Sequence, residues 1–319
     1  MAPATTHDYV IRQLGTQEQQ KAFLSNPYSL HDPYHFTPTD VHEVYDMIDP
    51  LKNPKLSQQG KVVLITGANR GIGRGIAVAF AKARAKAVVL TARDLSLLEQ
   101  VEKEIQESYP DTKVLVHKMD VTSESDVKVA FTKAMEVFDA VDVAIHNAGL
   151  NIDLAPLAQT DTSSWWSQYE VHVKGLYLVA KEYLQHLGGK PGNLIHISST
   201  SAVSSFPNQT GYGPSKLAAN RVVEILQYDY PNVRFFNLHP GVVETGIAKL
   251  HHVKEMGFVM DSPELAGCTA LFLLTPEAEF LRGRWCSANW KVDELVQLQE
   301  EIVKEHLLVS GLNAKLGKN

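Results

Sequence analysis

Cysteine is scarce in this chain, and long apolar runs are missing from it. Its two cysteines, Cys268 and Cys286, are too few for a disulfide framework or a thiolate zinc site. No apolar run approaches the ~20 residues that a membrane-spanning helix requires. The N-terminus has no apolar signal core, and its acidic Asp8 and Glu18 are atypical of a mitochondrial presequence. These absences predict a cytoplasmic protein with no membrane contact and no metal.

Basic residues are also fewer than acidic ones. The 319 residues include 30 Lys and Arg against 36 Asp and Glu, which gives a net charge of −6. A general nucleic-acid binder needs a basic surface to neutralise phosphates, so we expect no nucleic-acid partner. Hydrophobic residues make up 44% and charged residues 21%, which is typical of a chain that buries a sizeable core.

Residues 1–58 differ from the rest in composition. They contain six of the fifteen prolines and no long apolar run. Apolar residues at helical spacing predict one short helix from Asp40 to Met47. We expect an N-terminal extension that either lies on a core or hangs loose, and not a domain.

From Gly60 onward, short apolar runs alternate with amphipathic segments. The predicted strands are Lys61–Thr66, Ala87–Thr91, Val114–Met119, Val141–His146, Asn193–Ser198, Val233–Leu238 and Gly283–Ala288. The predicted helices are Ile72–Arg84, Leu95–Tyr109, Ser123–Phe138, Ser164–Leu187, Tyr212–Tyr230 and Pro263–Leu274. Strands that alternate with helices indicate right-handed crossovers, and hence a doubly wound α/β fold with a parallel sheet.

A glycine-rich turn follows the first predicted strand. Thr66 to Gly73 read T-G-A-N-R-G-I-G, and a predicted helix begins there. Glycines permit positive φ and a close approach of backbone to phosphate, while a helix N-terminus attracts the anion. The placement of this turn between the first strand and the first helix predicts nucleotide binding.

The ribose end of such a nucleotide is read about 20 residues after the glycine turn. An acidic side chain there binds the 2′-hydroxyl of NAD, whereas a cation accommodates the 2′-phosphate of NADP. This chain has Arg93 at the end of the second predicted strand, and Arg70 can point at the same phosphate. NADP is therefore the predicted cofactor, and NAD is the less favoured alternative because Asp94 follows directly.

Tyr212 and Lys216 are four residues apart at the start of a predicted helix, so they share one face. An ammonium about 5 Å from a phenol favours the phenolate by roughly 3 kcal/mol at an effective dielectric constant of ~20. We therefore expect a lowered pKa for the Tyr212 phenol. Ser199, just after a predicted strand, can then polarise a substrate carbonyl by hydrogen bonding.

The Y-x-x-x-K spacing occurs three times and does not identify the site by itself. Tyr109 and Lys113 straddle Pro110, which ends a predicted helix. Tyr177 and Lys181 lie within a predicted helix whose N-cap is expected at Ser164. Only Tyr212 opens a helix after a strand end, where parallel sheets bind ligands.

Five motifs resemble those of the short-chain dehydrogenase/reductase family, in the family's order and at its usual separations over residues 59–290. They are TGANRGIG at Thr66–Gly73, HNAG at His146–Gly149, ISS at Ile197–Ser199, YGPSK at Tyr212–Lys216 and HPGVVET at His239–Thr245. The resemblance implies a single Rossmann domain at 59–290, an N-terminal extension at 1–58 and a helical C-terminal tail at 291–319. The layout is similar to fungal members often found in secondary metabolism.

The resemblance also implies which residues form the site. Ser199, Tyr212 and Lys216 are the implied catalytic set. Asp120 is implied to contact adenine, and Val242 to Thr245 the nicotinamide carboxamide. The implied cofactor-binding residues are Thr66, Gly67, Asn69, Arg70, Gly71, Ile72, Gly73, Arg93, Asp120, Val121, Asn147, Ala148, Gly149, Tyr212, Lys216, Pro240, Gly241, Val243 and Thr245.

One position departs from the family pattern. His172 stands where the family usually has an asparagine that holds a water next to the lysine. Three interpretations stay open. His172 replaces the proton relay as a further catalytic residue, it is a neutral structural histidine, or the relay is broken and redox turnover is slow or replaced.

These features predict NADP(H)-dependent hydride transfer to or from a ketone, aldehyde or alcohol, with Tyr212 as general acid/base. The alternative is a non-redox dehydratase, isomerase or cyclase on the same scaffold. The resemblance implies that the segment Gly246–Ser262 covers the substrate, and its apolar residues indicate a lid over a bulky, fairly apolar small molecule. Met256, Phe258 and Met260 belong to this lid, and Leu154, Leu157 and Phe206 to the opposite wall. The resemblance also implies a homo-oligomer, a dimer or tetramer, formed through the helices around 164–187 and 212–230.

Overall fold

The computed structural model describes residues 36–152, 154–245 and 259–311. At its centre lies a seven-stranded sheet with strand order β3-β2-β1-β4-β5-β6-β7, and all pairings between these strands are parallel. The strands are β1 Val62–Thr66, β2 Ala87–Ala92, β3 Lys113–Lys118, β4 Val143–His146, β5 Gly192–Ile197, β6 Val233–His239 and β7 Trp285–Ser287. The predicted doubly wound α/β fold is confirmed.

Helices cover both faces of the sheet. They are α1 Gly71–Lys82, α2 Leu95–Ser108, α3 Glu124–Phe138, α4 Thr162–Tyr169, α5 Gly175–Leu187, α6 Tyr212–Asp229, α7 Pro263–Leu273, α8 Val292–Gln297 and α9 Gln299–Lys304. Alternate residues of a strand point to opposite faces. In β1, Val63 and Ile65 accordingly pack in the cluster that contains α1, α2 and α7, whereas Val62 and Leu64 pack with α3, α5 and α6.

Helices α1 and α7 approach closely because of two glycines. A Cβ at Gly75 would lie 2.0 Å from the Pro263 carbonyl oxygen, and one at Gly267 would lie 2.6 Å from the Ala79 Cβ. No side chain fits at either position. Gly75 therefore serves helix packing, as its place outside the glycine turn suggests.

The long helix predicted at Ser164–Leu187 is instead two helices joined by a π-helical turn. Helix α4 begins after Asp161, whose carboxylate accepts the Ser164 N–H at 2.8 Å, so the N-cap predicted at Ser164 is wrong. The π turn spans Glu170–Lys174 and runs directly into α5. Such a turn inserts one extra residue into the helix and re-aims the side chains within it, here His172.

The helix predicted from Asp40 to Met47 is wrong. Asp40 instead pairs with Trp290 as an antiparallel bridge, and the Val41 N–H donates to the Asn289 carbonyl at 2.8 Å. The apolar residues of this stretch serve tertiary contacts, which override their helical spacing. Ile48 and Leu56 are completely buried in the main core. The part of the extension that is described, 36–58, therefore lies on the core, while residues 1–35 fall outside the described ranges.

The C-terminal tail contains the two short helices α8 and α9 and then returns to helix α6. The Ser310 N–H and hydroxyl donate to the buried Glu224 carboxylate at 2.8 and 2.9 Å. Residues 312–319 lie outside the described ranges. The domain boundaries at 58/59 and 290/291 stay predictions.

Candidate active site

The carboxyl ends of four parallel strands meet at one edge of the sheet. The glycine turn follows β1, Asn147 follows β4, Ser199 follows β5 and Pro240 follows β6. The strand order reverses at β1, which pairs with β2 on one side and β4 on the other. Ligands of doubly wound sheets bind at such a switch point.

The glycine turn is a tight backbone cradle. Gly67 and Gly71 have φ of +64° and +54°, a conformation that costs any other residue steric strain. A Cβ at Gly73 would lie 2.3 Å from the Gly67 carbonyl oxygen and 2.5 Å from Asn147 Nδ2. The turn therefore depends on glycine at all three positions. Asn69 and Ile72, between them, stay partly exposed.

The N-terminus of α1 is open. Its N-cap, Arg70, forms no side-chain capping hydrogen bond, whereas α2 and α3 are capped by Asp94 and Ser123. The first-turn amides of α1 and the positive end of its dipole can therefore bind an anion. This arrangement fits the diphosphate of a dinucleotide.

Thr66 and Asn147 hold the glycine turn against the end of β4. The Thr66 hydroxyl accepts the N–H groups of Asn147 and Ala148 at 3.0 and 2.9 Å. The Asn147 amide in turn donates to the carbonyls of Thr66 and Gly67 at 2.9 and 3.1 Å. The Asn147 side chain is therefore occupied in supporting the turn, and Gly149 leaves room beside Lys216.

The ribose end of the cleft carries two exposed arginines. Arg70 and Arg93 are both exposed, and neither forms an ion pair within the described ranges. Asp94, the acidic alternative, caps α2 by accepting the Leu97 N–H at 3.2 Å and the Ser96 hydroxyl at 2.8 Å. These bonds and the nearby Arg70 hold the pKa of Asp94 below its usual value. One oxygen of this carboxylate, Oδ1, thus caps the helix.

Asp120 and Val121 follow the edge strand β3. The Asp120 carboxylate accepts the N–H and hydroxyl of Thr122 at 2.9 and 2.8 Å. Val121 is buried against Gly175, where a Cβ would lie 3.1 Å from both of its methyl groups. This pair forms the far end of the cleft, beyond Arg93.

The loop after β6 closes the cleft opposite the glycine turn. Gly241 has φ of +84°, and Val243 forms an isolated parallel bridge with Asp261. A Cβ at Gly71 would lie 2.9 Å from the Thr245 methyl group, so the two loops touch. The sequence from Pro240 to Thr245 therefore faces the N-terminus of α1.

Ser199 and Tyr212 lie close together, and the Ser199 side chain opposes the rise in the pKa of Tyr212 that burial causes. Ser199 is 9% exposed and also accepts the Ser201 N–H at 3.2 Å, which fixes its hydroxyl. Tyr212 is the first residue of α6 and is partly exposed. Two hydroxyls thus lie at the mouth of the cleft, where a carbonyl or alcohol oxygen can reach both.

Lys216 lies one turn further along α6 and is 3% exposed. Its Nζ donates to the Ile197 carbonyl at 2.7 Å, and burial lowers its pKa to about 7. Burial also raises the pKa of Tyr212, against the opposing effect of the Ser199 side chain. The lower pKa predicted for Tyr212 is therefore wrong for the protein alone, because burial penalises the charged phenolate.

His172 uses both ring nitrogens to join two parts of the site. Its Nε2 accepts the Leu150 N–H at 3.1 Å, so a neutral ring carries its proton on Nδ1. That Nδ1 lies 2.9 Å from the Ser215 hydroxyl, which donates to the Tyr212 carbonyl at 2.8 Å. The ring is completely buried, and burial holds its pKa well below the usual value.

The sequence model of the short chain dehydrogenase family matches residues 61–255. The chain belongs to this family. It is 36% identical to Short chain dehydrogenase mpl6 of Monascus purpureus over 268 residues, which cover 81% of this chain and 91% of that protein. The family assignment is therefore consistent along most of the chain, and the chain is an enzyme of the short-chain dehydrogenase/reductase type.

Two solved structures have the same fold. An alcohol dehydrogenase from Thermococcus sibiricus, complexed with 5-hydroxy-NADP, has a TM-score of 0.60 and 30% identity over 67% of this chain and 90% of its own. A 7α-hydroxysteroid dehydrogenase complexed with NADH and 7-oxo glycochenodeoxycholic acid has a TM-score of 0.68 and 25% identity over 74% and 96% of the two chains.

Three histidines of this short-chain dehydrogenase lie near the strand ends beneath the cleft. The rings of His146 and His196 stack, with their Nδ1 atoms 3.0 Å apart. His239 stacks on Trp285 with ring centroids 6.0 Å apart. Burial lowers the pKa of His146 and of His239 to about 3, so both are neutral at pH 7. They are packing residues at these strand ends.

The other two Y-x-x-x-K pairs lie away from the cleft. Tyr109 caps the end of α2 and Lys113 begins β3. The Tyr177 side chain is 54% exposed, and Lys181 forms an ion pair with Glu124 at 2.7 Å. Position relative to the strand ends, and not spacing, separates these pairs from the site.

The predicted substrate walls are described only in part. Leu157 is 60% exposed after β4, and Ile152 and Val203 are each 40% exposed after β4 and β5. Trp166 is 54% exposed and stacks on Tyr169. Leu154, Phe206 and Met260 are half-buried. Met256 and Phe258 lie outside the described ranges.

Two residues of the site were missed from the sequence. Ser215, inside the YGPSK motif, connects His172 to the backbone of Tyr212. Asp261 binds the loop after β6 through the Val242 N–H. The motif points to Ser215, but no local signal points to Asp261, because its partners are far away in sequence.

Two absences hold for the described ranges. None of the helices there is long and apolar enough to cross a membrane. No group of three or more His, Cys, Asp or Glu side chains there is arranged to hold a metal ion. Both cysteines are buried as free thiols.

Proposed function

We propose that this short-chain dehydrogenase is an NADP(H)-dependent oxidoreductase that transfers a hydride to or from a ketone, aldehyde or alcohol. The observation that carries this proposal is the placement of Ser199 just after β5 and of Tyr212 at the first position of α6, one helical turn before the buried Lys216. These groups lie at the same sheet edge as the open N-terminus of α1. The family supports redox chemistry of this kind.

The side chains of this site have separate tasks. Ser199 donates a hydrogen bond to the substrate oxygen and orients it. Tyr212 donates its phenolic proton to that oxygen during reduction and removes the hydroxyl proton during oxidation. When bound, the nicotinamide supplies or accepts the hydride at the carbonyl carbon. Lys216, with a pKa lowered to about 7 by burial, can hold or release a proton near neutral pH next to Tyr212.

The preference for NADP rests on the two exposed arginines. Arg70 and Arg93 can bind a 2′-phosphate, and a guanidinium suits a phosphate because it donates two parallel hydrogen bonds. Asp94 is the acid that would select NAD, but its carboxylate caps α2. A solved relative carries an NADP derivative and another carries NADH, so the arginines decide our choice.

The remaining site assignments follow the same chemistry. We propose that the glycine turn and α1 bind the diphosphate, that Asp120 and Val121 border the adenine, and that Gly241 to Thr245 contact the carboxamide. For His172 we propose the structural interpretation. Both ring nitrogens are occupied by Leu150 and Ser215, so a relay through the ring would first have to break one of these bonds.

The proposed substrate is a bulky, fairly apolar small molecule. Exposed apolar side chains follow the strands that carry the site, namely Ile152, Leu157 and Val203. One solved relative binds a 7-oxo steroid conjugate, which is a ligand of this kind. The fungal relative from Monascus purpureus supports, as an analogy, a role in secondary metabolism. The cytoplasmic location stays a prediction.

We propose a homo-oligomer, a dimer or tetramer, formed through α4 to α6. Exposed apolar residues on these helices suit an interface between copies of the chain, and they are Trp166, Tyr177, Leu217, Ile225 and Tyr228. Val223, on the opposite face of α6, is completely buried against the sheet.

The experiment is incubation with NADPH and a panel of apolar ketones, in which both nicotinamide absorbance and product mass are followed. Tyr212→Phe is expected to lower kcat by about 10²–10⁴-fold and to leave NADPH binding intact, because only the transferable proton is lost. Tyr177→Phe is the matched control, since it has the same spacing to a lysine. Full activity of Tyr212→Phe contradicts the proposal. Product formation without a change in nicotinamide absorbance favours the dehydratase, isomerase or cyclase alternative.

A further inference from the structure

The N-terminal segment reaches the loop after β6 through one buried carboxylate. The Asp261 side chain is 1% exposed, and its Oδ2 accepts the Val242 N–H. Its Oδ1 lies 2.6 Å from His42 Nδ1 and accepts the Asn289 amide at 2.8 Å. His42 is 219 residues away from Asp261 in sequence. Asp261 therefore joins the extension, the C-terminal region and the cofactor-facing loop.

Asp261 determines the path of this loop. The Asp261 N–H donates to the Val242 carbonyl at 2.8 Å, so side chain and backbone together hold both polar groups of Val242. A Cβ at Gly241, where φ is +84°, would lie 2.4 Å from Asp261 Oδ2. The turn at Gly241 and Val242 is thus shaped around the carboxylate, and a shift of Asp261 moves the turn.

His42 holds the Asp261 carboxylate from the solvent-exposed side. Its carbonyl accepts the Ser262 N–H at 2.9 Å, while its ring binds the Asp261 side chain. Val41 and Asn289 hold the backbone before it with two hydrogen bonds of 2.8 and 3.0 Å. The imidazole is 38% exposed, so it brings a donor to a carboxylate that solvent barely reaches. Without this donor, Asp261 keeps a buried charge with one partner fewer.

We propose that His42 is a positioning residue of the cofactor site, which acts through Asp261 to hold the Gly241–Val242 turn in its binding conformation. The inference rests on the proposed function insofar as this turn faces the cofactor. His42 touches no part of the proposed reaction. Its contribution is to reduce the number of conformations that the turn samples before cofactor binds.

A second residue of the same segment provides a matched control. Thr39 binds Glu294 through its N–H at 2.8 Å and its hydroxyl at 2.6 Å, and it is remote from Asp261 in this network. Thr39→Ala removes one anchor of the segment but leaves the carboxylate untouched. A purely structural role of the segment therefore predicts similar effects for Thr39→Ala and His42→Ala.

The experiment measures hydrogen exchange of a peptide covering residues 239–245 in the protein without cofactor, followed by the Kd for NADP. His42→Ala is expected to accelerate exchange in this peptide and to raise Kd on the order of fivefold, with kcat at saturation nearly unchanged. His42→Asn is expected to restore both values, because its Nδ2 is as many bonds from Cβ as the histidine Nδ1. Thr39→Ala is expected to leave both unchanged.

Equal effects of Thr39→Ala and His42→Ala overturn the proposal, and so does unchanged exchange in His42→Ala. If His42→Ala does not fold, His42→Gln keeps a donor but displaces it by one bond, and faster exchange of the same peptide is then the expected result. The exchange measurement needs no cofactor. Faster exchange in a protein that binds no NADP therefore refutes the proposed function while the positioning of the turn by His42 stands.

Discussion

Replacing Lys216 by methionine tests whether this buried lysine, to which we assign a role in catalysis, destabilises the protein that carries it. The side chain is 3% exposed, and its ammonium donates to the Ile197 carbonyl at 2.7 Å. Burial alone lowers its pKa from 10.5 to about 7. Methionine has a similar length and no charge, so Lys216→Met removes the buried ammonium with little change in volume.

The size of the effect follows from the pKa. A fall from 10.5 to about 7, at ~1.4 kcal/mol for each pH unit, corresponds to a burial penalty on the order of 5 kcal/mol. The lost hydrogen bond to Ile197 offsets about 1 kcal/mol of this. Lys216→Met is therefore expected to raise the free energy of unfolding by roughly 2–4 kcal/mol at neutral pH, while it abolishes turnover.

The pH dependence of this gain identifies its cause. Between about pH 7 and 10.5 the unfolded lysine keeps its proton while the folded one has lost it. The unfolded state then binds more protons, so wild-type stability rises with pH. The advantage of Lys216→Met is largest below pH 7 and shrinks by ~1.4 kcal/mol per pH unit above it.

The assay is urea unfolding of the wild type, Lys216→Met and Lys181→Met at about pH 7, 8 and 9. Lys181 has the same spacing to a tyrosine but forms an ion pair with the exposed Glu124, so its replacement is expected to leave the free energy of unfolding nearly unchanged. A gain in Lys216→Met that does not vary with pH would refute the reasoning. Greater stability of the wild type at pH 7 would refute it as well.

Two further substitutions test the ends of the cleft. Arg93→Asp places a carboxylate at the ribose end, and we expect kcat/KM for NADPH to fall on the order of 10–100-fold while that for NADH falls little. Equal losses for the two cofactors in steady-state kinetics contradict the role of Arg93. His172→Leu leaves the Leu150 N–H and the Ser215 hydroxyl without their partner, so we expect a loss of about 1–3 kcal/mol in unfolding free energy together with a lower kcat. His172→Asn, which keeps a polar side chain, is the control. If His172→Leu keeps the wild-type kcat, measured without urea, then the His172 ring does not position Tyr212.

The sheet could be predicted from the sequence because its strands are continuous apolar runs. All five residues of β1 are buried, which is the pattern expected of a strand covered on both faces. The helix predicted from Asp40 to Met47 failed for a related reason. Apolar spacing reports burial, and Val41 and Ile48 are turned inward by contacts with the C-terminal region and not by a helix. The π turn at Glu170–Lys174 likewise has no periodic signal, because one extra residue in a helix is too small a change for apolar spacing to reveal.

The sequence predicts those site residues whose positions follow from where a strand ends. Ser199 and Tyr212 meet because a strand end and the next helix start are neighbours in any parallel sheet. The direction in which the pKa of Tyr212 shifts could not be predicted, because sequence spacing gives the distance to Lys216 but not the burial of either group. His42 and Asp261 could not be paired for another reason. Their contact spans 219 residues, and neither belongs to a recognisable motif.

The histidines beneath Lys216 are buried as Lys216 is, and burial lowers their pKa values too. These lowered pKa values reduce the free energy of unfolding at acid pH. His146 has a pKa lowered from 6.5 to about 3, first by burial and then by Lys216. Between these values the unfolded His146 ring binds a proton that the folded ring does not. This ring alone therefore lowers the free energy of unfolding by up to ~1.4 kcal/mol per pH unit below about pH 6.5. The buried His172, His196 and His239, whose pKa values are also lowered, add to this decline. His146→Asn keeps a polar group opposite His196 and removes this titration, so we expect a flatter decline in urea midpoints between about pH 6.5 and 5. For His306→Asn, at an exposed position with φ of +52°, the urea midpoint is expected to decline in parallel with that of the wild type. If the urea midpoint of His146→Asn also declines in parallel with that of the wild type, the neutral His146 ring does not cause the loss of stability in acid.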